Sequence, residues 1–598
     1  MSAPLRGESA PAQPAIGQML PGERRWVLGF AGLALLVSGL PYLVGYAAQG
    51  ADYRFTGFIL GVEDGNTYIA KMLAGSAGSW LFRSPYSPEA QNGILLQMIY
   101  LWTGKLAAAP GLHEQLVALY QLLRAVGGLL AILASYDFLA WFVRDVRLRR
   151  FGLALVTLGG GLGWLLAALG RNQWLGSLPL DFYSPEAFGF LQLYALPHLA
   201  LARAAMLWTL VQYLRMASGW VEPGGRVQAG WRAVLRLGGL WLAVGFGQPL
   251  TMAITGVVML AHLAGRRWWR APRLAEPGGA PEHEPGHAAQ PSLARLAAQV
   301  ALAGVLPGAY LAYSFLITQI DPYIRVYNAQ NVIRSPHPLH YLAAYGLALP
   351  YAALGLRRLW RGGPQLPGRL VGWLAGGWLA LAPFLAYAPL DLQRRMTDGL
   401  WAALVGLALA GLAGAHATAR RTQPAARGDT PAVEIAPAAA PRPRLNWPAA
   451  PLLLAFPSTL LLLLGGLGAA ARPALPLFRP AAEVAAFEYL QAGAPVDSLV
   501  LAAHLTSNAL PAWAPVRVLV GHGPESAHLA ELLPQVQRVY GAGPDGWRRD
   551  FLRSRGVGYV FYGPEERALG GWDPHTAGYL YRVYQSVGYE VFLMLDQP

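Results

Sequence analysis

Apolar runs near 26–47, 116–142, 151–169, 191–214, 234–247, 249–264, 296–317, 339–356, 369–388, 397–417 and 448–470 occupy most of the chain. Most approach the ~20 residues that cross ~30 Å of hydrocarbon at ~1.5 Å per residue. A bilayer core offers no water to backbone N–H and C=O groups, so such runs fold as helices that satisfy these groups internally. The pattern predicts an α-helical polytopic membrane protein of about eleven transmembrane helices. Composition agrees, with 54% of the 598 residues hydrophobic and only 13% charged, where a soluble domain carries roughly 25%.

A net charge of +14 raises the question of nucleic acid. The arginines, however, sit in short clusters between apolar runs, as the positive-inside bias places them, so the basicity reads as topology and no nucleic-acid partner is expected. With a cytoplasmic N-terminus, the major clusters at 24–25, 144–150, 215–236, 266–273, 357–369 and 420–444 all fall inside, and the one cluster that falls outside is Arg394–Arg395. This threading requires 91–108 to lie along the outer surface as a juxtamembrane helix, its apolar positions interrupted by Asn92, Gln97, Thr103 and Lys105. The first run has no small-residue cleavage site and reads as an uncleaved signal anchor. The chain has no cysteine, which excludes disulfides, thiolate metal sites and cysteine nucleophiles.

The expected organisation is a cytoplasmic tail 1–23, a transmembrane domain 24–420, a cytoplasmic Pro/Ala-rich linker 421–446, a last transmembrane helix 447–472 and an extracytoplasmic α/β domain 478–598. A second Pro/Ala/Gly-rich linker is expected at 271–292. In the C-terminal region, short apolar stretches at 498–502, 516–521, 558–562 and 590–595 alternate with helical patterns. His504, His522 and Glu525 stand at predicted strand ends, either as surface loop residues or as part of an acceptor-binding face.

The long outer loops, about 49–114 and 170–190, suggest a working face. In the first, Glu63 and Asp64 precede a helix-like run with Tyr68 on it. Carriage of a base or metal ligand there competes with simple capping of the helix, since acids favour an N-terminus. In the second, Glu186 precedes a span whose outer end carries His198, and with Asp64 these could hold a metal ion through oxygen and nitrogen donors. Residues 321–334 mix aromatics, amides and arginines, as sugar-binding surfaces and interfacial loops both do. Two short spans meet at Gly247-Gln248-Pro249, a proline break of the kind that lines cavities. Arg394 and Arg395 offer guanidinium forks suited to phosphate, or they snorkel to lipid headgroups. The chain has no P-loop, HExxH or GxSxG in a credible context, so cytoplasmic nucleotide chemistry is not expected.

A cytoplasmic start, a long first outer loop with an acidic pair, juxtamembrane helices before the second span and an Arg-rich turn after it make residues 24–420 similar to the GT-C superfamily of integral membrane glycosyltransferases. The stretches GVEDGNTYIAKM, SPEAFGFLQLYALPH and LQRRMTDGL resemble a bacterial branch of it. The resemblance implies transfer of a sugar from a polyprenyl-phosphate-linked donor to a glycan, lipid or protein acceptor at the outer face of the cytoplasmic membrane. It implies Asp64, with Glu63, as base or as ligand of a divalent cation such as Mg or Mn. Glu186 and His198 would form a second polar cluster, with Tyr68 and Gln248 beside the substrate, and Arg394 and Arg395 would steady the carrier phosphate. The chain departs from the pattern at Gln248-Pro249, where relatives often show His-Pro, and its acidic pair is not a DxD. A transporter or flippase of lipid-linked glycans, or a non-catalytic membrane assembly protein, are the competing readings.

Overall fold

The computed structural model describes residues 14–221, 230–268, 290–361, 366–421, 447–541 and 543–595. The predicted linkers fall almost wholly outside these residues, as does the predicted N-terminal tail up to residue 13. The described chain is mostly helical. Six helices are long and apolar enough to cross a membrane, or up to eight if two bent pairs are single spans. Pro21–Ala48, Leu112–Leu139, Pro249–Arg267, Gly368–Ala386, Gln393–Ala413 and Ala449–Ala470 are the six.

The number of crossings expected from apolar runs is not reached by this count, and the backbone shows why. The run at 151–169 is split into Val146–Leu158 and Gly163–Ala168. Between them Gly160 and Leu162 donate backbone hydrogen bonds to Ala455 and Ala343, and Gly161 to the Asp181 carboxylate; at Gly161 a Cβ would stand 2.5 Å from the Ala344 backbone, a close approach that glycine allows. Trp231–Gly247 stops after 17 residues at the extended Gln248. Pro197–Ser218 carries Arg203, Gln212 and Arg215 yet is enclosed along nearly its whole length by neighbouring helices. The expected helix over 91–108 is realised only at Met98–Gly104. It crosses the helix Val62–Ser76 where Gly75 meets the Leu101 carbonyl and Gly104 meets the Met72 carbonyl, each too close for a Cβ.

The C-terminal unit is a five-stranded sheet flanked by helices. β3 (Leu499–Leu501) pairs in parallel with β4 (Arg517–Val518) and β5 (Tyr559–Tyr562). β7 (Tyr589–Met594) runs antiparallel to β5 and to β6 (Leu580–Ser586), giving the order β4-β3-β5-β7-β6. Every residue of β3 is buried, as expected of a parallel strand covered on both faces. Leu532, Val536 and Val539 of Leu529–Tyr540 cover one face of the sheet against Leu501, Val560 and Phe592.

The other face does not stop at the unit's own helix. Val484, Phe487 and Leu490 of Ala481–Gly493 join Phe561 and Val591 in a core that also contains Tyr68, Ile69, Met72 and Leu73 of Val62–Ser76. The acid-bearing helix of the first loop and the C-terminal sheet thus share one hydrophobic core. A two-stranded ribbon reinforces the join: β1 (Tyr53–Phe55) pairs antiparallel with β2 (Phe478–Pro480). Thr56 extends it, with its N–H and hydroxyl both donating to the Leu477 carbonyl.

Candidate active site

Gly61, at φ 63°, turns the chain in the left-handed region that glycine adopts without strain, and the helix Val62–Ser76 starts immediately after it. The N-cap residue Gly61 has no side chain to cap the helix, and both acids stand in its first turn, where a helix N-terminus favours negative charge. Both carboxylates are about half exposed (56%) and each faces a histidine of the C-terminal unit. His522 Nε2 lies 3.2 Å from Asp64 Oδ1, and His504 Nε2 lies 3.8 Å from Glu63 Oε1. Asn508 closes the gap between the two units, donating to the Glu63 carbonyl at 3.2 Å while its own oxygen accepts from Asn66 at 2.8 Å.

The loop that carries His522 is held from three sides. Ser526 Oγ accepts the backbone N–H groups of Gly521 and His522, each at 3.0 Å. Glu525 is buried; Lys71 Nζ lies 2.5 Å from its Oε1 and Ser84 Oγ donates to its Oε2 at 3.0 Å. From Pro322–Gln330, Tyr323 donates to the Glu525 carbonyl at 2.9 Å and Gln330 to that of Ser526 at 2.9 Å. The mixed segment 321–334 therefore grips this loop with its tyrosine and amide.

Electrostatics follow from these contacts. Burial pushes the Asp64 carboxyl up, but the His522 hydrogen bond and charge, with Lys71 and Arg395, outweigh it and hold Asp64 below the ordinary carboxylate value. His504, followed by His522, holds Glu63 below its ordinary value too. His522 shows the reciprocal effect: burial pushes it down, yet Asp64 and Glu525 carry it above the usual imidazole value.

Beneath Asp64, Tyr68 stacks on Tyr100 with ring centroids 4.5 Å apart, and the Tyr100 hydroxyl shares a 2.6 Å hydrogen bond with His198 Nδ1. The predicted helix break abuts this histidine, because a Cβ on Gly247 would stand 2.7 Å from the His198 carbonyl oxygen. Gln248, at the break, is buried and its amide nitrogen has no hydrogen-bond partner among the described residues.

Arg394 and Arg395 occupy the 3-10 turn Gln393–Thr397. Their Nε atoms lie 3.8 and 3.6 Å from the two oxygens of buried Glu186, and Arg394 lies over the Tyr183 ring. These separations are too long for hydrogen bonds, so the guanidinium donors remain available. Glu186 is fixed from behind: Arg203 donates to the Pro185 and Glu186 carbonyls at 3.1 and 2.7 Å. The same guanidinium lies 2.5 Å from Asp398 Oδ1, and Thr251 donates to Asp398 Oδ2 at 2.7 Å. The Arg395 charge reaches Asp64, and the charges of both reach Tyr68 and Tyr327.

Asp64 and Tyr68 share one helix, Tyr68 leads through Tyr100 to His198, and Glu186 lies beside Arg394 and Arg395, whose charge reaches Asp64 and Tyr68. The expected metal triad of Asp64, Glu186 and His198 is not formed. Among the described residues no group of three or more His, Asp or Glu side chains could hold a metal ion. The reason is that the donors are otherwise engaged: Glu186 faces two arginines, His198 Nδ1 bonds Tyr100, and Asp64 faces His522. Lys71, Asn508, Arg203 and Asp398 were not singled out from sequence. Two had a visible signal, since Lys71 is one of only two lysines and Arg203 is an ionisable residue inside an apolar run, which marks a functional hypothesis by default. His504 and His522, open to a surface-loop reading, instead face the first-loop acids.

No protein-family model matches the chain, and no curated protein matches it. Among solved structures, it is similar to the oligosaccharyltransferase AglB from Archaeoglobus fulgidus in complex with an inhibitory peptide and a dolichol-phosphate. That match has 12% identity and TM-score 0.44 and covers 97% of this chain and 75% of that one. The Archaeoglobus fulgidus oligosaccharyltransferase in complex with Zn and sulfate matches at 12% identity and TM-score 0.45, covering 94% and 74%. ArnT from Cupriavidus metallidurans bound to undecaprenyl phosphate matches at 15% identity and TM-score 0.43, covering 94% and 98%. At such TM-scores the likeness carries no argument for this chain's activity, which rests on the site itself.

Proposed function

We propose that this chain is a glycosyltransferase of the cytoplasmic membrane that moves a sugar from a polyprenyl-phosphate-linked donor to an acceptor hydroxyl or amine at the extracytoplasmic face. One observation carries the reading: a half-exposed carboxylate, Asp64, lies within reach of the charge of Arg395, whose Nε makes no hydrogen bond among the described residues. A displacement at an anomeric carbon needs both. The acceptor atom bonds to that carbon as the carbon–oxygen bond to phosphate breaks, its electron pair leaving with the polyprenyl phosphate. Asp64 takes the acceptor's proton, and Arg395 with Arg394 stabilises the charge gathering on phosphate. The donor class is the one implied by the resemblance of residues 24–420. The N-terminus is then cytoplasmic and the C-terminal unit extracytoplasmic, and the acceptor is a glycan, lipid or protein.

The transporter reading draws on the Arg203–Asp398 pair buried among the helices. That pair is fully engaged by Gln192, Thr251 and the 185–186 carbonyls, which suits a positioning element better than a moving cargo site.

The test is transfer of labelled sugar from synthetic polyprenyl-phosphate donors by purified full-length protein, with membrane extracts as acceptors. Wild-type transfer that disappears in Asp64→Asn and is weakened in Arg395→Ala supports the enzyme. Donor binding without transfer to any acceptor, together with donor movement across vesicles, would replace it with the transporter. An arm with chelator decides whether a divalent cation takes part.

A further inference from the structure

Asp64 and His522 divide a single contact unequally. The carboxylate remains about half exposed (56%), whereas the His522 side chain is 11% exposed, too enclosed to meet a substrate. His522 Nε2 takes Asp64 Oδ1, and its Nδ1 is buried with no hydrogen-bond partner among the described residues. Asp64 Oδ2 makes no hydrogen bond among them. The imidazole cannot swing away freely, because its backbone N–H is held by Ser526 Oγ and the following loop is pinned through Glu525 to Lys71 and Ser84.

We propose that His522 is a positioning residue for Asp64, holding Oδ1 so that Oδ2 is the oxygen presented to the acceptor, and that the loop 521–526 makes the C-terminal unit part of the active site. This rests on the proposed transfer reaction for its kinetic readout, but not for its geometry. A carboxylate on the first turn of a helix rotates about two bonds; a hydrogen bond to one oxygen selects one orientation, and orientation of a proton acceptor acts on the chemical step more than on donor binding. Glu525 serves the same end at one remove, since its buried pairing with Lys71 ties the loop to the helix that bears Asp64, two turns further along.

The experiment uses full-length protein with His522→Ala and His522→Gln, because a glutamine amide nitrogen reaches the place of the imidazole Nε2. The first readout is kcat and donor KM for sugar transfer. The second, independent of activity, is hydrogen exchange over residues 62–66, with exchange over β3 and β5 as the control that the sheet is folded. His522→Ala is expected to lower kcat roughly tenfold with donor KM changed less than about twofold, and His522→Gln to recover most of the loss. Exchange at 62–66 should rise in the alanine variant and return in the glutamine variant. Equal kinetics in both variants, or a loss confined to KM, overturns the proposal. If wild type transfers no sugar, the functional reading fails separately, and unchanged exchange at 62–66 in His522→Ala then refutes the positioning role itself.

Discussion

Lys71 Nζ lies 2.5 Å from Glu525 Oε1 with both side chains almost fully buried, joining a helix of the first loop to a loop of the C-terminal unit 454 residues later in the chain. Taking two such charges out of water is costly, and their attraction compensates only while both are present. Lys71→Ala should therefore destabilise the protein by about 3–5 kcal/mol by leaving buried Glu525 without its cation. Lys71→Met combined with Glu525→Gln leaves no lone charge and keeps an acceptor for Ser84, so it should lose much less. Thermal unfolding of the three proteins in one detergent checks the order.

The contact between Asp64 and His522 should give the fold a pH signature. Because the His522 value is raised in the folded protein, its contribution is complete below the ordinary 6.5 and is lost as pH rises through the higher folded value. Because the Asp64 value is lowered, its contribution is complete above the ordinary 3.8 and is lost as pH falls through the lower folded value. The melting temperature should pass through a plateau between these limits and decline on the alkaline side. His522→Gln, which does not titrate, should flatten the alkaline decline; an unchanged alkaline limb in that variant would assign it to other groups.

The crossing of Val62–Ser76 over Met98–Gly104 has no room for a methyl group, since a Cβ on Gly104 would press on the Met72 carbonyl. Gly104→Ala should cost about 1–3 kcal/mol through forced separation of the two helices. Gly78→Ala is not an equivalent control, because Gly78 has a positive φ. Gly22→Ala, where a Cβ meets nothing within 4 Å, is the suitable one, and equal stability of the two alanine variants would contradict the crossing.

Arg395 offers a planar fork whose Nε is 3.6 Å from Glu186. If it binds phosphate through paired donors, Arg395→Ala should reduce kcat/KM for transfer roughly 10- to 100-fold, the range expected for hydrogen bonds to a charged group. Arg395→Lys should recover only part, because an ammonium keeps the charge and loses the fork. Full recovery by lysine would reduce the role to a diffuse charge.

Much of this architecture was legible in the sequence because apolar runs obey a single rule. Length and hydropathy located Pro21–Ala48 and Leu112–Leu139 within a few residues. The run at 191–214 likewise corresponds to the helix Pro197–Ser218, whereas the run at 151–169 is interrupted by glycine at 159–161. Four strands of the C-terminal sheet were visible as short apolar stretches, whereas β6 was missed because its outward residues, such as Tyr581 and Arg582, break the pattern. Of the site, the acidic pair and the arginine pair stood out for occupying places where charge is unusual. Which side chains meet them was not legible, since Asp64 and His522 are 458 positions apart and nothing local in either segment encodes the other.

The ribbon of β1 with β2 carries an implication for how the protein is made. Thr56 bonds Leu477 across a separation of 421 residues, and closing a loop of that size is slow even though each doubling of length adds only ~0.6 kcal/mol of entropy. The helix bearing Asp64 is synthesised 458 residues before the histidine that faces it. A chain stopped before residue 504 would insert its helices and still leave the acids without His504, Asn508 and His522, so synthesis of that segment is itself the step that assembles the site.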